Sequence, residues 1–312
     1  MKINLFMQNQ NDNKSKALIF KVLEADELLT FIMKKMDGIS RTKAKNILTC
    51  GSVAVNGKTM TQHNFQLVPG MEVRIGKNHK INSIDSQWIK IVYEDQYLFV
   101  VDKKPGIICH SPNPEDETVQ SILNQYLEKT HQKCHAHTVH RLDRDTSGLL
   151  IFAKDKKIAL KFEENWKETV YDRRYVALVH GEMKKKEGTI SSYLKDNAQF
   201  VTYSSKSDNG GKFAVTHYKL IKVSDGYSLV ELRLETGRKN QIRVHLQDIG
   251  FPVVGDPKYG DGDDKIGRLG LHAYKLCFIH PITHEDLQFE TPFPSSFRLE
   301  PSGMMKKSPK NE

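Results

Sequence analysis

The sequence predicts an α+β protein with a small unit ahead of a large one, on three observations. Strand-like runs follow one another with helices interspersed, unlike the strict strand–helix alternation of a parallel sheet. Residues 77–87 are polar and carry no hydrophobic period, which marks a linker. With 312 residues, 38% of them hydrophobic, the chain can bury one large core and one small one. The expected organisation is a disordered start (1–18), a small domain (19–76), the linker (77–87), a large domain (88–300) and a flexible tail (301–312).

In the small domain Leu28, Leu29, Ile32, Met33 and Met36 recur at helical spacing, and Asp37-Gly38 ends that helix. Ser40 caps a second helix from Arg41 to about Thr49, with Ala44, Ile47 and Leu48 inward and Arg41, Lys43 and Lys45 outward. Val53-Ala54-Val55 with Asn56-Gly57 reads as a strand and a tight hairpin turn, and Val68-Pro69-Gly70 as a type II turn before a strand over 71–75. In the large domain residues 89–93 and 97–101 read as strands around a turn. Val119, Ile122, Leu123, Tyr126 and Leu127 mark an amphipathic helix, and the run Leu149-Leu150-Ile151-Phe152 a buried strand. Asp155 caps one helix with Ile158, Ala159, Phe162 and Trp166 inward. Residues 170–179, 188–193, 213–223 and 227–235 are β-rich. A short helix over 241–249 ends at Gly250, and 271–278 and 287–290 are the last strands.

Charge narrows the partners. Lys and Arg number 47 against 38 Asp and Glu, and a net charge of +9 favours polyanions, RNA or DNA first. Cys50, Cys109, Cys134 and Cys277 show no paired spacing and read as reduced thiols of a cytoplasmic protein. No run is long and apolar enough for a membrane span or a secretory signal. His131, Cys134, His135, His137 and His140 crowd together, but their spacing fits no standard zinc site, so no metal is expected.

Chemistry concentrates in three places. In His140-Arg141-Leu142-Asp143-Arg144-Asp145-Thr146-Ser147-Gly148 two carboxylates sit among two guanidinium groups, and a buried strand follows at once. Positive neighbours favour the charged form of a carboxylate, which can then act as nucleophile or base. The plainer alternative is a surface ion-pair loop. The second place is the stretch from Thr236 to His245, where Gly237 allows a sharp turn and Arg238, Lys239, Arg243 and His245 crowd a helix start suited to phosphate. There Arg243 is a candidate partner for Asp143, against the alternative of a helix cap with solvated charges. The third is a strand whose alternation puts Tyr171, Arg173 and Tyr175 on one face and Asp172 and Arg174 on the other, either to stack on a base and hold its phosphate or to fill a half-buried face.

Taken together, these residues resemble the RluA-type pseudouridine synthases. His140 to Gly148 with its apolar run looks like the family's catalytic signature. Lys104-Pro105-Gly106, Arg174-Tyr175-Val176-Ala177, Gly237-Arg238 through His245 and Gly255-Asp256-Pro257-Lys258-Tyr259-Gly260 match its further motifs in order. The small domain resembles the RNA-binding domain shared by a ribosomal small-subunit protein and tyrosyl-tRNA synthetases. The resemblance implies a mixed, mainly antiparallel central sheet with flanking helices and a small N-terminal α/β RNA-binding domain. It implies an isomerase that detaches a flipped-out uracil from ribose and rejoins it through carbon, with no cofactor. Asp143 would be the nucleophilic or glycal-forming carboxylate, Arg243 its partner, and Tyr175 a stacking platform that assists proton removal. Arg141 and Arg238 would hold phosphate, and Arg41, Lys43 and Lys45 would contact RNA. The expected substrate is large-subunit ribosomal RNA first and transfer RNA second, and the expected state a monomer. Asn240 and Phe251 stand where many relatives carry His, changes not expected to touch the charge pair. A non-catalytic RNA-binding assembly factor and a metal-dependent hydrolase are the alternatives.

Overall fold

The computed structural model describes residues 18–36, 38–49, 53–60, 62–75, 84–262 and 264–299; the expected disordered start, most of the linker and the tail lie outside them. The chain divides into two compact units, residues 1–82 with 127–133 and residues 83–126 with 134–312. The division falls inside the helix Val119–Lys129. Among the described residues no helix is long and apolar enough to cross a membrane.

In the first unit, helices Leu28–Lys35 and Arg41–Thr49 accompany a four-stranded antiparallel sheet. Its order is Leu18–Lys21, Glu72–Ile75, Val53–Val55, Lys58–Thr59. Leu28, Leu29, Ile32, Ala44, Leu48, Val53 and Val73 form the core. The first strand escapes sequence reading because Leu18 and Ile19 are both about half exposed and show no alternation.

The second unit is built on an eleven-stranded mixed sheet. Nine strands run in the order Thr202–Ser205, Glu187–Asp196, Lys212–Ser224, Tyr227–Leu234, Asp172–His180, Leu271–Ile279, Ser147–Ala153, Leu98–Lys103, Ile89–Glu94. Asp286–Glu290 and His137–Thr138 attach beside this path. The named strands pair antiparallel except where Ser147–Ala153 runs parallel to Leu271–Ile279. Every residue of Ser147–Ala153 is buried, which is why it reads as a continuous apolar run. Leu149 and Ile151 pack with Leu98, Val100, Phe162 and Phe278.

The expected helix from Asp155 is divided. Asp155 does cap it, accepting a bond from the Lys157 amide at 2.6 Å, but the helix stops at Glu164. A separate four-residue turn, Trp166–Thr169, follows Asn165, and Trp166 turns toward Arg173. The helix Gln241–Asp248 has six consecutive buried residues, because it packs against Glu187–Asp196, Thr202–Ser205 and Lys212–Ser224.

Gly148 marks the parallel crossing. Its φ is +117°, and a Cβ there would stand 2.2 Å from the Ala273 carbonyl oxygen. Backbone strain and a clash with backbone that cannot yield both act against a side chain. Gly148→Ala is expected to cost roughly 3 kcal/mol or more, read as a lower denaturant midpoint. An unchanged midpoint would mean that the two strands separate freely.

Candidate active site

Three anchors shape the loop between His137–Thr138 and Ser147–Ala153. Buried Lys103 donates from Nζ to the carbonyls of Arg144 (2.8 Å), Ile107 (2.9 Å) and Lys104 (3.1 Å). Burial pulls this ammonium down to about 8, while its three carbonyl partners favour the charged form. Cys109 Sγ donates to the Leu142 carbonyl at 3.1 Å and faces the Leu142 amide at 3.3 Å. His140 Nε2 accepts from the Ile151 amide at 3.1 Å, so the proton of the neutral ring sits on Nδ1. With Leu142 buried and tied on both sides, its neighbour Asp143 is only partly covered, its side chain 28% exposed. The Asp143 carbonyl also accepts the Thr146 amide, which closes the turn.

Arg243 reaches this loop from the first turn of Gln241–Asp248. Its principal partner is Asp256, not Asp143: Nε and Nη2 each donate to one carboxylate oxygen at 2.6 Å. The remaining nitrogen, Nη1, donates to Asn240 Oδ1 at 3.0 Å and lies 3.8 Å from Asp143 Oδ2. Tyr259 stacks against the guanidinium at 4.9 Å. The Asp256 carboxylate beside it holds the Arg243 guanidinium above its usual value. The expectation that Asn240 leaves the charge pair alone is therefore corrected. It adopts a left-handed backbone (φ 53°), and its amide also donates to Tyr259 OH at 3.2 Å and Thr202 Oγ1 at 3.3 Å.

The third wall is the strand Asp172–His180. Arg173 and Tyr175 line the cavity together, while Arg174 turns away to bind Asp172 and Glu231. The facing strand carries an irregularity opposite Arg174 and Tyr175, a device common beside active sites because it re-aims side chains. Burial pushes the Tyr175 phenol up, so it stays protonated. Asp143, Tyr175 and Arg243 all face one cavity of about 520 Å³, a volume within the range of small-ligand sites. Its lining holds six cationic side chains (Arg141, Lys167, Arg173, Arg238, Lys239, Arg243) against three acidic ones (Asp143, Glu163, Glu235).

The other expected RNA-binding residues divide by unit. Arg141 and Arg238 line the cavity and are exposed; Arg238 Nε donates to the Phe213 carbonyl at 3.2 Å. Arg41 and Lys45 are exposed on the helix Arg41–Thr49 of the first unit, and the Lys43 side chain lies outside the described residues. Lys103, Cys109, Asp256, Asn240 and Trp166 escaped sequence reading as site residues. Among the described residues no group of three or more His, Cys, Asp or Glu is placed to hold a metal ion.

Histidine burial gives the protein a pH signature. Desolvation depresses His140 to about 3 and His245 and His272 to about 4. Between these values and the ordinary 6.5 the unfolded chain binds protons that the folded chain does not, so stability falls as pH falls. Each histidine contributes a slope of about 1.4 kcal/mol per pH unit. Denaturant melts at pH 7, 6 and 5 are expected to show progressive loss, relieved in part by His245→Gln. A flat profile would mean that these rings ionise in place.

The profile of the RNA pseudouridylate synthase family matches residues 97–248. An uncharacterized RNA pseudouridine synthase of Bacillus subtilis is 34% identical over 87% of this chain and 91% of its own length. One from Mycoplasma pneumoniae is 32% identical over 89% of this chain and 92% of its own. A ribosomal large subunit pseudouridine synthase D of Buchnera aphidicola is 30% identical over 83% of this chain and 88% of its own. Among solved structures, human RNA pseudouridylate synthase domain containing 1 superposes with a TM-score of 0.56 at 28% identity, covering 69% of this chain and 86% of that one.

Proposed function

Because this chain belongs to the RNA pseudouridylate synthase family, isomerases that act on RNA, we propose that it converts uridines of large-subunit ribosomal RNA to pseudouridine with Asp143 as the reacting carboxylate. The choice of RNA is supported by relatives named ribosomal large subunit pseudouridine synthase D and by the cationic cavity. Transfer RNA is the second substrate class. The enzyme works as a monomer in the cytoplasm, a setting supported by the unpaired thiols of Cys109, Cys134 and Cys277.

The reaction breaks N1–C1′, forms C5–C1′ and moves one proton from C5 to N1. Asp143 is the nucleophilic or glycal-forming group that releases the uracil, and Arg243 Nη1 steadies its charge. Tyr175 stacks on the detached base. With its phenol held protonated, Tyr175 is a poor acceptor for the C5 proton, which leaves the Asp143 carboxylate to take it. Lys103 and Cys109 hold the loop while the base turns, so the second bond forms within one cavity. Arg141 and Arg238 bind phosphate at the rim, and Arg41, Lys43 and Lys45 bind it in the first unit. Extruding the target nucleotide costs a few kcal/mol, which favours loops and single strands.

The observation that carries this reading is the 3.8 Å approach of Asp143 to Arg243 in a cavity walled by Tyr175. Incubation with a large-subunit ribosomal RNA transcript, followed by pseudouridine mapping, tests it; modification of transfer RNA alone would move the substrate to the second class. No observation favours the non-catalytic assembly factor.

A further inference from the structure

We propose that Arg173, laid on the indole of Trp166, is a binding site for a phosphodiester group next to the uridine held against Tyr175. This rests on the reading of the cavity as a uridine site and assigns one phosphate to the cation that strand alternation sets beside the stacking tyrosine.

The buried cation of the cavity is already engaged. Arg243 is tied to Asp256 and Asn240. Of the exposed ones, Lys239 is bound to Asp196 at 2.8 Å and to the Phe200 carbonyl at 3.2 Å, Arg238 gives its Nε to the Phe213 carbonyl, and Arg141 and Lys167 stand in water at the rim. Arg173 differs. It is half-buried and lines the cavity, and its guanidinium carbon stands 4.8 Å from the centre of the Trp166 ring. Among the described residues, no carboxylate comes within 4 Å of it and no acceptor takes a hydrogen bond from it. The backbone of Gly237 lies beside it: a Cβ there would stand 3.6 Å from Nη2.

An uncompensated guanidinium that has lost water from one face is an incomplete pair. Indole contact fixes its plane, and a planar fork suits phosphate oxygens. The neighbouring ring, His140, is held neutral by burial and by Arg173 itself, so it adds no second positive charge beside the guanidinium. Arg173 and Tyr175 are two residues apart on one strand face, about 6.6 Å along the strand, a separation that one nucleotide can bridge with its base on the ring and its phosphate at the fork. A single-stranded or looped RNA fits such a pairing of stacking surface and cation.

The test is a cycle on the intact protein. A short uridine-containing RNA is made with its natural linkages, or with one neutral methylphosphonate at each position flanking the target. Binding is measured against salt for the wild type, Arg173→Gln and Arg173→Lys. Arg173→Gln is expected to weaken binding of the natural RNA about tenfold and to lower the salt slope by about 0.7, the loss of one single-strand phosphate contact. At one flanking linkage, neutralisation should weaken the wild type but not Arg173→Gln, and Arg173→Lys should recover part of the salt slope. Equal losses in wild type and Arg173→Gln at every linkage would overturn the proposal, as would an unchanged salt slope. A wild type that binds this RNA in the expected cycle yet makes no pseudouridine would instead overturn the uridine reading.

Discussion

Asp143→Asn is expected to abolish pseudouridine formation, by on the order of 10³-fold or more in single-turnover rate, while the RNA dissociation constant stays the same or falls slightly. The amide keeps the shape of the carboxylate but neither attacks C1′ nor accepts a proton. Its neighbours are not built to need it for folding. Arg243 keeps its two bonds to Asp256, and Leu142 stays tied to Cys109. Thermal stability should therefore hold within a few degrees. The sign on binding follows from charge: removing one anion from a cavity with six cations and three acids makes it more attractive to phosphate. A variant that still modifies the transcript at more than a hundredth of the wild-type rate would mean that another group does the chemistry. One that is inactive because it has unfolded would show itself in the melt, and Asp143→Ser then separates the two causes.

Sequence reading reached the parts of this site that carry charge in a row or hydrophobicity in a rhythm. The loop from His140 to Gly148 announced itself because charged residues run straight into a strand that is buried on both faces. Arg173 and Tyr175 were placed on one strand face because alternation has a period of two. The missed residues have no such rhythm. Asp256 lies thirteen residues beyond Arg243, and only the turn back from the helix Gln241–Asp248 brings the two together. Lys103 reads as one more surface lysine, since the backbone carbonyls that bury it leave no trace in side-chain pattern. Asn240 reads as a neutral replacement because nothing local signals that its left-handed backbone aims Oδ1 at Arg243. Trp166 fits the helical period that begins at Ile158, and its reassignment to the cavity wall follows from the helix ending at Glu164. Periodicity thus located the strands that carry the site, while the fixing of each side chain depended on contacts distant in sequence.

Asp256→Asn is expected to give the second large effect, first on stability and through it on the reaction. The Asp256 side chain is fully buried, and its Oδ1 also accepts the amides of Lys258 at 2.9 Å and Tyr259 at 3.0 Å. It therefore closes a turn as well as neutralising Arg243, whose side chain is only 10% exposed. Removing one member of such a pair leaves a buried charge without its counterion, at a cost of about 3–5 kcal/mol. For a unit of this size that corresponds to a fall in Tm of roughly 10 °C. The amide can still cap the turn with its oxygen, so folding survives and activity can be measured well below the new Tm. Under those conditions the freed Arg243 has Asp143 as its nearest remaining carboxylate, 3.8 Å from Nη1. A close pair there would draw electron density from the reacting oxygen and block its approach to C1′, so kcat should fall while KM changes little. Arg243 would then act through Asp256 as much as on Asp143, the structural ion pair holding the guanidinium at a distance that would stabilise the Asp143 carboxylate without capturing it. A Tm unchanged within 2 °C, or a kcat that stays at the wild-type value, would show that this division of one guanidinium between two carboxylates has no consequence.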